Sequence, residues 1–160
     1  MSSFLGEFDC KLDPKGRLMM PATLRKQLPP EAQEKFVINR GFEKCLVLYP
    51  MNEWQKISAD VNELNEFVKK NREFARYFHR GATELEMDNT GRILLPKRLL
   101  EFAGIDKDLV LAARNNKIEL WAPDQYETLF NDAPDGYESL AEDVMGKNRI
   151  NKSNGTGELS

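Results

Sequence analysis

The twelve-residue segment Asp13-Pro-Lys-Gly-Arg-Leu-Met-Met-Pro-Ala-Thr-Leu24 has a related second copy in this chain of 160 residues. The second copy is Asp88-Asn-Thr-Gly-Arg-Ile-Leu-Leu-Pro-Lys-Arg-Leu99, which begins 75 positions later. Aspartate, glycine, arginine, proline and the final leucine are identical, and the three residues before each proline are apolar. Further pairs match at an offset of 73, namely Val37 with Val110, Lys44 with Lys117, and Pro50 with Pro123. A fixed period of this kind indicates one supersecondary unit that is used twice.

Each copy predicts the same order of elements around a tight turn. Apolar and polar residues alternate before Asp13 and before Asp88, which is the pattern of a half-buried strand. The Asp-x-x-Gly spacing suits a turn, because the carboxylate accepts backbone N–H groups and glycine tolerates positive φ. Pro21 and Pro96 suit the start of a short helix. The elements predicted after these prolines are the helices 22–28 and 97–103 and the strands 36–39, 46–49, 109–113 and 118–121.

Outside the repeats, the chain has an insert and a C-terminal part. Apolar residues recur at three- and four-residue steps between Trp54 and Phe74, which predicts a helical insert with Asn52 as its N-cap. Further helical segments are predicted over 123–130 and 137–145. The predicted boundaries are 4–50 for the first repeat, 51–80 for the insert, 81–125 for the second repeat, 126–145 for a C-terminal helical segment and 146–160 for a disordered tail. Because one repeat buries too little core alone, we expect the two repeats to pair their strands.

Composition and charge argue against several classes of protein. No run approaches the ~18 apolar residues of a membrane span, and the N-terminus lacks the features of a signal peptide, so no membrane partner is expected. Cys10 and Cys45 imply no disulfide framework, which makes a cytoplasmic location the expectation. The net charge is −3, yet residues 1–50 carry a net charge of +2 and residues 126–160 one of −4. This gradient permits a polyanion site near the N-terminus.

The two Asp-x-x-Gly-Arg segments, each followed by three apolar residues and a proline, resemble the MraZ family. The leading Phe4-Leu-Gly6 and the segment Cys45-Leu-Val-Leu-Tyr-Pro-x-x-x-Trp54 share this resemblance, and each repeat looks like an AbrB-type (SpoVT-AbrB) DNA-binding module. The resemblance implies an α+β, mainly β fold. In that fold, two pseudo-symmetric swapped-hairpin units form a double-split β-barrel with flanking helices, and several protomers close into a ring.

The resemblance also implies a function, namely sequence-specific binding of double-stranded DNA by a transcriptional regulator. Members of the family are usually repressors of the division and cell-wall gene cluster that contains their own gene. Such a protein would bind direct repeats in the promoter region as a ring-like homo-oligomer, associated with the nucleoid. The second turn carries Asn89-Thr90 where the first carries Pro14-Lys15, so whether the second repeat contacts DNA stays open.

Basic residues at the two turns are the candidate DNA contacts. Lysine and arginine neutralise phosphates, and arginine is the commonest side chain to contact guanine edges. Arg17 and Lys15 are therefore the first candidates, followed by Arg25 on the next helix and by Arg92 in the second repeat. Four residues are predicted to structure the turns, namely Asp13, Gly16, Asp88 and Gly91. For the two aspartates a structural role is favoured over direct DNA contact.

Other charged and aromatic residues have a plainer interpretation. A basic cluster in the insert is more typical of a solvated helix face or an intersubunit surface than of a second phosphate-binding stripe. It consists of Lys69, Lys70, Arg72, Arg76 and Arg80. The aromatic residues Phe67, Phe74, Tyr77 and Phe78 are predicted to lie in the core or in a protomer interface rather than to stack on bases. For Lys97 and Arg98 both interpretations stay open.

The sequence contains no recognisable catalytic or cofactor motif. One histidine, His79, and two distant cysteines do not have the spacing of a metal site, and no nucleophile–base pair or phosphate loop is recognisable. We therefore predict no catalytic residue, no metal, no cofactor and no small-molecule substrate, and we do not expect an enzyme. The alternative function is an antitoxin-like or scaffold module that binds another protein, for which the acidic C-terminal part could serve.

Overall fold

The computed structural model describes residues 3–131 and 136–146. The first repeat contains β1 (Phe4–Lys11), β2 (Arg17–Met19), α1 (Ala22–Gln27), a 3-10 turn (Pro30–Ala32), β3 (Lys35–Arg40) and β4 (Leu46–Pro50). The insert contains α2 (Met51–Asn62) and α3 (Lys69–His79). The second repeat contains β5 (Thr83–Glu86), β6 (Arg92–Leu94), α4 (Lys97–Ala103), β7 (Asp108–Asn115) and β8 (Lys117–Trp121). The C-terminal part contains α5 (Pro123–Thr128) and α6 (residues 137–146).

The strands form two antiparallel sheets in which the repeats exchange partners. The larger sheet has the order β1-β7-β8-β4-β3-β5, and β2 pairs with β6 in a separate two-stranded sheet. The first strand of each repeat pairs with the third strand of the other, β1 with β7 and β5 with β3. The predicted α+β class is therefore confirmed. Among the described residues β1 and β5 are the edges of the larger sheet, and these strands do not close into a barrel.

Both repeats contribute to one hydrophobic core. Leu18 of β2 and Ile93 of β6 face each other and are fully buried, together with Leu24 of α1. Every residue of β4 is buried because this strand lies in the middle of the larger sheet, between β3 and β8. Complete burial of a leucine or isoleucine side chain contributes about 1.5–3 kcal/mol. The shared core is what we expected of two repeats that are too small to fold separately.

The insert consists of two helices, whereas the sequence predicted helical periodicity throughout residues 51–80. Residues 63–68 separate α2 from α3. Within this break the Oδ1 atom of Asn65 accepts the N–H of Phe67 at 3.0 Å, a local bond that competes with helix formation. The prediction of Asn52 as N-cap is wrong, because α2 begins at Met51, which places Asn52 inside the helix, and Pro50 occupies the cap position without a side-chain cap.

Helix α3 contacts its neighbours through one narrow face, and none of its residues is fully buried. The ring of Phe78 stacks on Trp54 of α2 with centroids 5.4 Å apart, and His79 meets the same indole edge-on at 5.8 Å. Phe67, Phe74 and Tyr77 are exposed. The prediction of a core position therefore fails for these three, and their placement in a protomer interface stays a prediction.

The described residues from Asp124 onward form a second compact unit. In this unit the rings of Tyr126 and Phe130 contact each other at 5.1 Å, and α6 matches the helix predicted over 137–145 to within one residue. The predicted disordered tail, 146–160, lies outside the described residues except for Gly146, which ends α6. No helix in the described part of the chain is both long and apolar enough to cross a membrane.

Candidate nucleic-acid interface

The side chain of Asp13 organises the turn between β1 and β2. Its Oδ1 atom accepts the backbone N–H groups of Lys15 at 2.9 Å and of Arg17 at 2.8 Å. Its Oδ2 atom accepts the Nε–H of Arg17 at 2.6 Å. The N–H of Gly16 donates to the Asp13 carbonyl at 2.9 Å, and the φ of 85° at Gly16 lies in the region that favours glycine. The carboxylate thus fixes both the turn and the direction of the Arg17 guanidinium.

The turn between β5 and β6 has the same backbone and a different side-chain network. The Oδ1 atom of Asp88 accepts the N–H groups of Thr90 and Arg92, each at 2.9 Å, and the Thr90 hydroxyl at 2.7 Å. The Nη1 of Arg92 donates to the Thr90 hydroxyl oxygen at 3.1 Å. Arg92 is therefore oriented by a neutral hydroxyl, whereas Arg17 is oriented by a carboxylate.

The two turns are joined by a two-stranded ribbon, which we define as β2 paired with β6. Arg17 lies opposite Leu94, and Met19 lies opposite Arg92. Paired residues share one face of an antiparallel sheet, and successive residues alternate between faces. Because the central pair, Leu18 and Ile93, is buried in the core, the arginines of both repeats lie on the outward face of the ribbon.

Backbone hydrogen bonds tie each turn to the strand of the other repeat. The N–H of Met20 donates to the Gly91 carbonyl at 2.9 Å, and the N–H of Leu95 donates to the Gly16 carbonyl at 3.1 Å. These bonds continue the pairing of the ribbon up to both turns. Arg17 and Arg92 are therefore carried on a scaffold that is rigid from one turn to the other.

The structure places Arg25 beside the second turn, although it belongs to the first repeat. Its Nη1 atom lies 3.5 Å from the Thr90 carbonyl oxygen. A Cβ atom added to Gly91 would come within 2.6 Å of the same Nη1. The equivalent residue of the second repeat is Leu100, which is buried. The first turn therefore combines Arg17 with Lys15, whereas the second combines Arg92 with Arg25.

Both turn aspartates are stabilised in their charged form. The backbone N–H of Arg17 is the main cause that lowers the pKa of Asp13, and the backbone N–H of Arg92 acts in the same way on the pKa of Asp88. Each carboxylate is thus negative at neutral pH and occupied by turn donors. This arrangement supports the structural role that the sequence favoured for the two aspartates.

The remaining candidates lie apart from this network. Lys97 and Arg98 are exposed on α4. In the basic cluster of the insert, Lys69 approaches Glu73 at 3.9 Å, and the Nη1 of Arg72 donates to the Glu66 carbonyl at 2.8 Å. These local contacts suit the solvated helix face that the sequence favoured.

The histidine and the cysteines have structural surroundings. The Nδ1 atom of His79 lies 2.9 Å from the Ala75 carbonyl oxygen, and its Nε2 atom lies 3.5 Å from the Ser58 hydroxyl. Burial is the main cause that raises the pKa of Cys45, to about 12, so its thiol is protonated at neutral pH. In the described ranges no group of three or more metal-ligating side chains is present.

Sequence reasoning missed two residues of the ribbon face, Met19 and Leu94. Both are exposed apolar side chains, and each lies directly opposite one of the two arginines. Strict alternation along two three-residue strands could have indicated them, since Arg17 and Arg92 begin these strands and the residue two positions later shares their face. The apolar run before each proline concealed this signal.

The fold and the ribbon define a class of protein, a tandem-repeat α+β chain with a basic two-stranded ribbon shared by its repeats. The model of the family described as "MraZ protein, putative antitoxin-like" matches residues 3–77 and 78–144. The chain therefore belongs to the MraZ family.

Curated relatives agree with this assignment over most of the chain. A protein of Christiangramia forsetii named transcriptional regulator MraZ is 48% identical over 91% of this chain and 95% of its own length. Proteins of the same name from Flavobacterium psychrophilum and Natranaerobius thermophilus are 48% and 37% identical, over 91% and 89% of this chain and 94% and 96% of their own lengths.

Proposed function

We propose that this protein is a transcriptional regulator that binds double-stranded DNA sequence-specifically through the ribbon and its two turns. The observation that carries the proposal is that Arg17 and Arg92, 75 residues apart in the chain, share one outward face of the ribbon. The major groove of B-DNA admits a two-stranded β-ribbon, and arginine is the commonest partner of guanine O6 and N7. The name that the curated relatives carry supports the same function.

The proposed contacts divide into two kinds. Arg17 and Arg92 contact base edges, since their backbones belong to the ribbon itself. Lys15 and Arg25 contact phosphates on either side, because they are exposed next to the first and the second turn respectively. A chain with a net charge of −3 can bind DNA in this way, because only the face presented to the duplex needs to be positive.

We propose that several protomers act together as a ring-like homo-oligomer on direct repeats in the promoter region. One ribbon contacts few base pairs, and linking several contacts raises the overall affinity without any new contact. The reciprocal pairing of β1 with β7 and of β5 with β3 supports the swapped-hairpin units of a double-split barrel as the building block. The resemblance to MraZ proteins supports repression of the division and cell-wall cluster, own gene included, and association with the nucleoid.

A binding experiment with charge-matched variants tests the DNA contact. Duplexes selected by the wild-type protein from a random pool are titrated with wild type, Arg17→Ala and Lys44→Ala at several salt concentrations. Lys44 is exposed and lies outside the ribbon, so Lys44→Ala removes one positive charge elsewhere. We expect Arg17→Ala to weaken binding by about 1–3 kcal/mol per contacted site and Lys44→Ala to leave it unchanged. Equal affinities and salt slopes for all three proteins would contradict the proposed interface.

Protection mapping tests the multivalent arrangement. We expect the purified protein to protect separate short repeats in the promoter region at low salt, and this protection to fall steeply as the salt concentration rises. A single continuous footprint with a shallow salt dependence would contradict binding to repeated sites. The mass of the free protein in solution, measured in parallel, tests the homo-oligomer.

An antitoxin-like module that binds another protein is the second candidate, because the description of the matching family contains that term. The exposed rings of Phe42 and Tyr77 suit a protein surface of this kind. Affinity capture with and without nuclease separates the two functions. Partners that persist after nuclease treatment, together with absent DNA binding, would favour the protein-interaction module.

A further inference from the structure

The outward face of the ribbon carries two apolar side chains that lie outside the hydrophobic core. Met19 is 42% exposed and Leu94 is 58% exposed, whereas Leu18 and Ile93 beside them are fully buried. An exposed methionine or leucine gains little for folding, since only apolar surface removed from water contributes. The pair lies in the centre of the basic face and has a regular place in the ribbon, next to both arginines.

The register gives each arginine an apolar partner from the other repeat. Leu94 lies directly opposite Arg17, and Met19 lies directly opposite Arg92. Residues that face each other in this way have Cβ atoms about 4.5–5.5 Å apart. Successive bases along a DNA strand are spaced by about 3.4 Å. When the paired residues of the ribbon are aligned along the groove, this spacing of about one to two base steps brings the apolar partner next to the guanine that the arginine binds.

The major groove offers one apolar group, the C5-methyl of thymine. We propose that Met19 and Leu94 are specificity-determining residues that contact thymine methyl groups next to the guanines bound by Arg17 and Arg92. This inference rests on the proposed DNA-binding function. The two arginines beside this apolar pair make the face positive, which suits a polyanionic duplex.

Replacement of thymine by uracil tests the contact, because uracil lacks only the C5-methyl. Duplexes selected from a random pool by the full-length wild-type protein are made with thymine or with uracil in the selected site. We expect wild type to bind the uracil duplex about fourfold more weakly for each contacted methyl group. This ratio requires no variant and so does not depend on any mutant folding.

For the double variant Met19→Gln/Leu94→Gln, the ratio of the affinities for the thymine and uracil duplexes should be close to one. Leu5→Gln is the matched control, because Leu5 is 74% exposed on β1 and lies outside the ribbon, and it should keep the wild-type ratio. Thermal melting shows that each variant is folded. Single variants should each lose part of the discrimination, which separates the two contacts.

Three results would overturn the inference. Wild type could bind both duplexes equally while Arg17→Ala still loses affinity, in which case DNA binding stands and the methyl contact is wrong. The double variant could keep the full wild-type ratio, which would place the methyl contact on other residues. If the wild-type protein selects no duplex from the pool, the DNA-binding function itself is refuted, and the inference that rests on it fails with it.

Discussion

The two turns of this protein share a backbone and differ in how each holds its arginine. In the first, the carboxylate of Asp13 bonds the Arg17 guanidinium directly. In the second, the Thr90 hydroxyl lies between Asp88 and Arg92. Each turn brings two basic side chains close to one carboxylate. In the first turn the second basic residue, Lys15, belongs to the turn itself, whereas in the second turn it is Arg25 of α1.

This difference shows that duplication preserved the scaffold and left the contact chemistry free to diverge. The aspartate, the glycine and the arginine N–H make the turn, and all of them act within five residues. The residues between them differ, and both turns nevertheless make the same backbone hydrogen bonds. Two copies of one fold can therefore present different groups to a ligand at the same geometry.

The largest effect is expected where the two repeats are alike, in the shared core. Leu18→Ala and Ile93→Ala each remove a fully buried side chain from the centre of the ribbon. We expect each to lower the free energy of unfolding by about 2–5 kcal/mol. Because both repeats build one core, each variant should still melt in a single transition. Two separate transitions in thermal or chemical denaturation would show that the repeats fold independently.

The second prediction concerns the two arginines. Arg17→Ala and Arg92→Ala should each weaken DNA binding by about 1–3 kcal/mol, with the larger loss for Arg17→Ala. The carboxylate of Asp13 already orients Arg17, so less side-chain freedom is lost on binding, a cost of about 0.5–1.5 kcal/mol per immobilised side chain. Titration of the same duplex by both variants checks the order. A larger loss for Arg92→Ala would reverse the comparison.

The third prediction uses the two turn glycines. Gly16→Ala and Gly91→Ala both place a side chain at positive φ, 85° and 91°, and should each cost about 1–2 kcal/mol of stability. Space is open at Gly16, where the nearest atom to an added Cβ is the Leu95 carbonyl oxygen at 3.9 Å. At Gly91 an added Cβ atom would displace the Arg25 guanidinium. We therefore expect the two variants to have similar melting temperatures and Gly91→Ala to lose more DNA affinity than Gly16→Ala. Equal DNA affinities of the two variants would contradict a contact between Arg25 and DNA.

The smallest effect is expected from pH. The pKa of Asp13 and that of Asp88 are lowered from 3.8 by hydrogen bonds in the folded state. A lowered carboxyl pKa contributes stability that is present above the unfolded value and is lost as pH falls through the folded one. The turns should therefore be unchanged between pH 5 and 8. Carboxyl NMR titrations of the folded protein should give both midpoints below 3.8, and a midpoint at or above that value would contradict the described networks.

Much of this molecule follows from short-range chemistry and could be predicted. The repeat, the two turns, helix α4 with its end at Gly104 and the strand order within each repeat all depend on residues that are close in sequence. The break at residues 63–68 also had a local signal in Asn65, which helical periodicity outweighed in the prediction. The turn residues of the candidate site were found for the same reason, since Asp13 and Asp88 act within their own loops.

Local chemistry settled which residues form the turns, because a carboxylate and a glycine suffice to bend five residues. Long-range pairing settled what the turns present to solvent. The exchange of β1 and β5 between repeats, the position of Arg25 over Gly91 and the common face of Arg17, Met19, Arg92 and Leu94 all join segments some 45 to 111 positions apart. Such contacts depend on how the whole core packs, and no single stretch of the chain contains that information.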